Sequence, residues 1–190
     1  MDQPATYSAF NRHTRLATGA LSDVALAVKL TADAGETTIV VLNDRTGRPV
    51  DLDLRGSDQE IIARYALAED QAKPGRGRPK LGVTAREVTL LPRHWDWLAE
   101  QPGGASAALR RLVDQARRST EGRNRQAEDA LYRILTTLAG NLPDYEEVLR
   151  AFYAGQDQHM IALMQDWPAD IAAYVQLQLA ACRKPPNDQD

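Results

Sequence analysis

The sequence of 190 residues has one cysteine, Cys182, and therefore no internal disulfide bond. Disulfides are rare in reducing compartments, so this scarcity is typical of a cytoplasmic protein. Its apolar runs are only a few residues long, far below the ~20 residues that a membrane-spanning helix needs. The first ten residues carry Asp2 and no apolar run, unlike a signal peptide. We therefore expect a soluble protein of the cytoplasm that does not bind a membrane.

Groups that would support catalysis are also scarce. The three histidines, His13, His94 and His159, are far apart and have no partner at metal-ligand spacing. The sequence has no G-x-S-x-G, no phosphate-binding loop and no dinucleotide-binding glycine pattern. Cys182 lies on the apolar side of a predicted helix, which favours a packing role. We therefore predict a protein that is not an enzyme, with no catalytic residue, no metal site, no cofactor and no small-molecule substrate.

Charge is present in abundance but is distributed unevenly. The net charge is −3, yet residues 73–125 hold twelve Lys and Arg against five Asp and Glu, a net charge of +7. The remainder of the chain has a net charge of −10. This asymmetry indicates a basic middle that meets a polyanion, flanked by acidic parts. The alternative is that the arginines only line the polar faces of helices.

The N-terminal part predicts a small α+β domain over residues 1–70, in the order β-β-α-β-β-α. A strand at 37–42 is followed by an alternating strand at 50–54. The stretch "SDQE", Ser57 to Glu60, is a capping box that opens a helix to about Asp70. The spacing within that helix predicts four inward-facing residues, which are Ile61, Ile62, Tyr65 and Ala66.

Residues 71–84 form a basic linker rich in glycine, proline and arginine, and the chain then becomes mostly helical. A short strand at 86–91 precedes six helices, predicted at 92–101, 106–119, 124–140, 144–154, 157–165 and 168–182. We expect residues 85–183 to form one continuous helical domain, with the hinge at 71–84 and a disordered tail at 184–190. The fold class is α+β.

The centre of the linker, "GRGRPK" at Gly75 to Lys80, resembles the core of an AT-hook. The minor groove over A·T pairs is narrow and strongly negative, and it attracts inserted arginine. The resemblance implies that the Arg-Gly-Arg-Pro core enters this groove while flanking lysines contact phosphates. The alternative is a plain linker. The implied DNA contacts are Lys73, Arg76, Gly77, Arg78, Pro79 and Lys80.

The next segment, Ala85 to Ser119, resembles the ribbon-helix-helix module of bacterial repressors: a short strand ending "LP", a helix, a glycine turn and a basic helix. Such modules dimerise by pairing their strands. The resemblance implies a homodimer through 86–91, with Arg86 and the cap Ser106 on the DNA backbone. Neither face of the strand suits base reading. The alternative is a helical hairpin packed inside a larger domain. The implied core is Trp95, Leu98, Leu109, Leu112, Val113 and Ala116.

Taken whole, the chain resembles a family of bacterial proteins known as a conserved domain of unknown function. The resemblance rests on "VDLDLRGS" (50–57), "GRGRPKLGV" (75–83) and "REVTLLPRHWDWLAEQPGGAS" (86–106). It implies a bacterial source and a single conserved architecture, and it does not indicate which activity the protein has. Our first hypothesis is a DNA-binding protein, either a transcriptional regulator or a protein of the nucleoid. The alternative is a non-enzymatic protein–protein adaptor.

Overall fold

The computed structural model describes residues 5–71 and 84–183, which form three strands and eight helices. The protein is α+β, as predicted. The strands make one antiparallel sheet in the order β2-β1-β3, so that β1 lies in the middle. The first five elements are β1 (Tyr7–Asn11), β2 (Thr14–Gly19), α1 (Leu21–Asp33), β3 (Ile39–Asn43) and α2 (Asp58–Gln71).

Six further helices follow, each within a few residues of a prediction made from apolar spacing. The first two of these helices contact each other and are joined by a turn that contains two glycines, and the third is the longest. The bounds are α3 (Pro92–Ala99), α4 (Gly104–Arg118), α5 (Thr120–Ala139), α6 (Tyr145–Tyr153), α7 (Asp157–Leu163) and α8 (Ala169–Arg183).

The strand predicted at 50–54 is wrong. Residues 50–54 belong to no strand, and just before them an isolated bridge joins Pro49 to Leu42 of β3. The backbone N–H of Asp53 donates to the phenolic oxygen of Tyr65 at 2.6 Å, so a side chain takes the place of a neighbouring strand. The predicted alternation of apolar and polar residues is still present, because the apolar residues at 50, 52 and 54 pack against the clusters to which α1 and α2 contribute.

The capping box at the start of α2 is confirmed. The backbone N–H of Ser57 donates to Oε2 of Glu60 at 2.7 Å, and the N–H of Glu60 donates to Oγ of Ser57 at 3.4 Å. Each residue satisfies a backbone or hydroxyl group of the other, which fixes where the helix begins.

The inward face of α2 is narrower than predicted. Ile61 and Tyr65 are buried together with Leu21 of α1, whereas Ile62 and Ala66 are exposed. Residues four apart lie above one another on a helix, but the next residue along is turned away by about 100°. Leu21 and Ala25 of α1 and the apolar residues at 50, 52 and 54 pack against the stripe of Ile61 and Tyr65, and the neighbouring stripe of Ile62 and Ala66 stays exposed.

The chain divides into two compact units, and the division differs from the predicted one. Residues 1–73 and 126–190 form the core unit, and residues 74–125 form the inserted unit. The sheet has two apolar faces: α1 covers one, and the C-terminal helices cover the other. Phe10 and Leu42, both fully buried, therefore share a core with residues far along the chain. These include Leu131, Ile134, Leu138, Val148, Phe152, Ile171, Tyr174 and Val175.

The turn after β3 links the sheet to the C-terminal helices. Oδ1 of Asn43 accepts the backbone N–H groups of Arg45 and Thr46, which closes the turn. Arg133 of α5 donates to the carbonyl of Thr46 at 3.0 Å. Gly47 has φ 64°, and a Cβ there would lie 2.1 Å from the carbonyl oxygen of Ala130. The turn therefore fixes how closely α5 approaches the sheet.

Among the helices of the described ranges, none is long and apolar enough to cross a membrane. The predicted disordered tail, 184–190, lies outside the described residues.

Candidate nucleic-acid interface

The excess of positive charge falls on the inserted unit. Residues 74–125 contain eleven Lys and Arg against five Asp and Glu, a net charge of +6, while the core unit carries −9. The charge asymmetry that the sequence predicts therefore follows a structural division. A polyanion would be attracted to the inserted unit and repelled by the core unit.

Helices α3 and α4 are joined by a tight glycine turn. Gly103 and Gly104 have φ values of 84° and 73°, a conformation that other residues adopt only with strain. Nη1 of Arg111 donates to the carbonyl of Pro102 at 3.0 Å, which holds the turn against α4. Leu98 and Ala108 are buried at this end of the hairpin.

Ser106 does not cap α4, contrary to the prediction. The helix begins at Gly104 after Gly103 in the capping position, and no side chain caps it. The two glycines reverse the chain in so few residues that the helix starts before Ser106. Ser106 is therefore the third residue of α4 and is exposed. The first turn carries no acidic residue, so nothing on it repels a phosphate.

Most of the predicted hairpin core is exposed. Leu98 is buried and Leu109 is half-buried, whereas the other four predicted core residues are exposed. The cause is a mismatch of length, since α3 has 8 residues and α4 has 15. At 1.5 Å per residue, α3 is about 10 Å shorter than α4 and cannot cover its whole apolar face.

We call the exposed apolar residues of the hairpin and of the stretch before it the open apolar end. On α4 they continue the stripe of Ala108 at positions i+4, i+5 and i+8. On α3, Trp95 continues the stripe of Leu98 at i−3, and Leu91 precedes the helix. Large apolar side chains exposed together in this way mark an interaction surface. The open apolar end consists of Val88 (55% exposed), Leu91 (48%), Trp95 (41%), Leu112 (44%), Val113 (54%) and Ala116.

The strand predicted at 86–91 is not formed within this chain. Residues 84–91 are described, and they belong to neither a helix nor a strand. Arg86 lies in this extended stretch, is exposed, and makes no ion pair with any residue in 5–71 or 84–183. The stretch contains Val88 and Leu91 and leads directly into α3, so it is part of the open apolar end.

A family model matches nearly the whole length of the chain. A family model described as "Uncharacterized protein conserved in bacteria (DUF2239)" matches residues 6–180. The chain belongs to this family. No curated protein and no solved structure matches it. The predicted resemblance to a bacterial family of unknown function is therefore confirmed, and the match spans both the core unit and the inserted unit.

The predicted site of this DUF2239 chain falls partly within the described residues. The predicted contacts Lys73, Arg76, Gly77, Arg78, Pro79 and Lys80 all lie outside the described residues. Of the predicted site, the structure describes Arg86 and Ser106. On the same hairpin, Arg110 of α4 is exposed and makes no ion pair in the described ranges. In the sequence, Arg110 lies next to Arg111 and between the apolar residues at 109 and 112. That position is the signal that could have indicated an exposed arginine on this helix.

The structure also shows what surrounds the other chemically active groups. In the part of the chain that the structure describes, no three His, Cys, Asp or Glu side chains gather as a metal site would require. The packing role predicted for Cys182 is confirmed, because it is buried in the main core. That burial raises the pKa of its thiol, which keeps it in the unreactive protonated form.

Proposed function

We propose that this protein binds DNA, as a transcriptional regulator or a protein of the nucleoid, and contacts A·T-rich minor groove through residues 73–80. The observation that carries the proposal is the coincidence of charge and structure. A net charge of +6 is confined to the inserted unit, while the core unit carries −9. A surface that binds duplex DNA must neutralise phosphates, and only the inserted unit has the charge to do so.

The roles of the individual residues follow from their chemistry. Arginines on an extended Arg-Gly-Arg-Pro backbone enter a narrow, negative groove, and glycine lets the backbone lie against its floor. Arg86 and Arg110 are free of ion pairs in the described ranges, so binding phosphate breaks no existing pair. The start of α4 offers backbone N–H groups beside the exposed Ser106, with no acidic residue in that turn.

We also propose that a second copy of the chain covers the open apolar end. The extended stretch 84–91 lacks a neighbouring strand in the described chain, and an antiparallel copy of the same stretch would supply one. Pairing these stretches brings two open apolar ends together, since Leu91 leads directly from the stretch into α3. The expected assembly is a homodimer with two basic units side by side.

Fluorescence anisotropy with A·T-rich and G·C-rich duplexes at two salt concentrations tests the DNA proposal. We expect tighter binding to the A·T-rich duplex and a steep loss of affinity with salt. The Arg76→Ala/Arg78→Ala double variant should lose at least tenfold in affinity with an unchanged melting temperature. The matched control, Arg48→Ala/Arg150→Ala, removes the same charge from exposed positions of the core unit and should bind like wild type. Equal affinities in the two double variants would refute the minor-groove role.

Analytical ultracentrifugation tests the homodimer. Leu112→Glu should shift the protein towards monomer, because it places a charge in the open apolar end. Leu177→Glu is the matched control, since Leu177 of α8 is 58% exposed on the core unit. A wild-type monomer at high concentration would rule out the second copy. If that monomer also ignored DNA, the adaptor would be the better explanation, with the open apolar end as the surface for another protein.

A further inference from the structure

We propose that the core unit binds a small organic anion in a cavity of about 390 Å³ at the turn between β1 and β2. The turn, β3 and the last turn of α5 surround this cavity. Arg12, His13, Thr137 and Asn141 lie around it with polar groups, while Val40 and Leu138 contribute apolar surface. Its volume is within the range of small-molecule sites, roughly 300–1,000 Å³. This inference concerns the core unit and does not depend on DNA binding.

Arg12 is held in a backbone conformation that its residue type does not favour. Asn11 and Thr14 face each other across the strands, so Arg12 and His13 form a two-residue turn. Arg12 has φ 53°, in the left-handed region where glycine or asparagine is usual. The turn is anchored on β3, because the N–H of Arg12 donates to the carbonyl of Thr38 at 3.1 Å. The strain directs attention to what the Arg12 side chain does.

The charges near the cavity are not neutralised by the protein. In residues 5–71 and 84–183, no carboxylate lies within ion-pair distance of Arg12 or His13. This contrasts with the core unit's net charge of −9, which offers many acidic groups for pairing elsewhere. Arg150, for example, pairs with Glu147 at 2.6 Å. Because the core unit's net charge of −9 repels anions in general, an anion can bind it only beside an unpaired cation, and Arg12 is such a cation in the described ranges.

The lining defines the class of ligand. A guanidinium binds a carboxylate or a phosphate through two parallel hydrogen bonds. The side chains of Thr137 and Asn141 offer further hydroxyl and amide groups, and Val40 and Leu138 suit a short hydrocarbon body. The ligand is therefore a small molecule that carries one carboxylate or phosphate group on a short apolar body. The competing explanation is that Arg12 only faces the negative C-terminal end of α5.

NMR titration of the full-length protein distinguishes these explanations. The probes are butyrate, butyramide as its neutral isostere, and inorganic phosphate. We expect butyrate or phosphate to shift the amide signals of Arg12, His13, Thr38 and Asn141 with saturation, and butyramide to leave them unchanged. Arg12→Gln should weaken binding at least tenfold. Arg48→Gln removes an equivalent exposed charge of the core unit away from the cavity and should bind within twofold of wild type.

A second variant separates loss of the binding group from loss of the fold. Arg12→Gly relaxes the turn, so the protein should remain folded and at least as heat-stable as wild type while it no longer binds. Saturation by butyrate alone would assign a carboxylate ligand, and saturation by phosphate alone a phosphate ligand. The proposal is overturned if neither anion shifts these signals, or if Arg12→Gln or Arg12→Gly binds as tightly as wild type.

Discussion

The core unit and the inserted unit differ in how much of their apolar surface they bury. The core unit uses both ends of the sequence: its sheet is covered by α1 on one face and by the C-terminal helices on the other. The inserted unit has only a short helix to cover a long one, and it leaves the open apolar end exposed. The core unit buries its sheet within one chain, whereas the inserted unit leaves an apolar face exposed in the described residues.

The contrast extends to charge. Acidic residues predominate on the core unit, and basic residues predominate on the unit with the exposed face. A partner that is polyanionic or apolar would therefore meet the inserted unit. On the proposed function, substitutions in the core unit should change the stability of the fold, and substitutions in the inserted unit should change binding.

The largest expected effect concerns the continuity of the core unit. If residues 1–73 and 126–190 share one core, trypsin cuts confined to the inserted unit should leave the two flanking fragments associated. They should co-elute on gel filtration under native conditions and separate in denaturant, because Phe10 and Leu42 pack among the C-terminal helices. Separate elution under native conditions would restore the division into domains 1–70 and 85–183.

A pair of truncations compares the two apolar regions directly. Ile134→Ala removes a fully buried side chain from the core unit and should cost about 2–5 kcal/mol in the free energy of unfolding. Leu112→Ala, at a residue that is 44% exposed, should cost the dilute protein less than about 1 kcal/mol. Urea unfolding at low protein concentration measures both. Equal costs would mean that Leu112 is covered in the free chain.

Two glycines give the next comparison, because both have positive φ but only one is crowded. An added Cβ at Gly47 would lie 2.1 Å from the carbonyl oxygen of Ala130, whereas at Gly104 it meets nothing within 4 Å. Gly104→Ala should therefore cost roughly 1–2 kcal/mol, from backbone strain alone. Gly47→Ala should cost about 3 kcal/mol or more, because overpacking adds to the strain. Thermal melting followed by circular dichroism would show whether the two differ.

Local patterns in the sequence predict the helices well and the long-range arrangement poorly. The capping box before α2 and the apolar spacing of α5 are properties of adjacent residues, and both predictions hold. The division into units depends on contacts such as the one from the N–H of Arg15 to Oδ2 of Asp170, at 2.8 Å and 155 residues apart. No periodicity reveals such a pairing, so the sequence favours contiguous domains.

The misplaced features have local physical causes that a pattern does not contain. The alternation at 50–54 is real, but the backbone N–H of Asp53 donates to the hydroxyl of Tyr65 and not to a neighbouring strand. Ser106 has the right residue type for a cap, yet two glycines start the helix before it. The cavity beside Arg12 depends on the turn meeting the end of α5, which lies more than 120 residues away. In the sequence, the one signal for this cavity is that no Asp or Glu lies close to Arg12 along the chain.

The smallest expected effect is a dependence on alkaline pH in the core unit. The hydroxyl of Tyr174 donates to Oδ1 of Asp44 at 2.6 Å, and the ring packs against Phe10. Burial, and then the hydrogen bond to Asp44, raise the pKa of Tyr174 above its ordinary value near 10. As pH rises past about 10, the unfolded chain therefore releases this proton before the folded protein does. The stabilisation is complete below that pH and declines above it.

Tyr174→Phe isolates this contribution. Near neutral pH the free energy of unfolding of the variant should be lower than that of wild type by roughly 1–3 kcal/mol, because Asp44 loses a hydrogen-bond donor. Above about pH 10 this difference should narrow, since only wild type loses stability through the Tyr174 hydroxyl.

Tyr153 and Cys182, whose pKa values are also raised by burial, titrate in both proteins and cancel in the difference. Tyr132→Phe, at an exposed ring, is the control in the same urea titrations. A gap that stays constant from pH 7 to 11 would show that the Tyr174 hydroxyl is not held in its neutral form, and that this contact between the sheet and α8 is weaker than its geometry indicates.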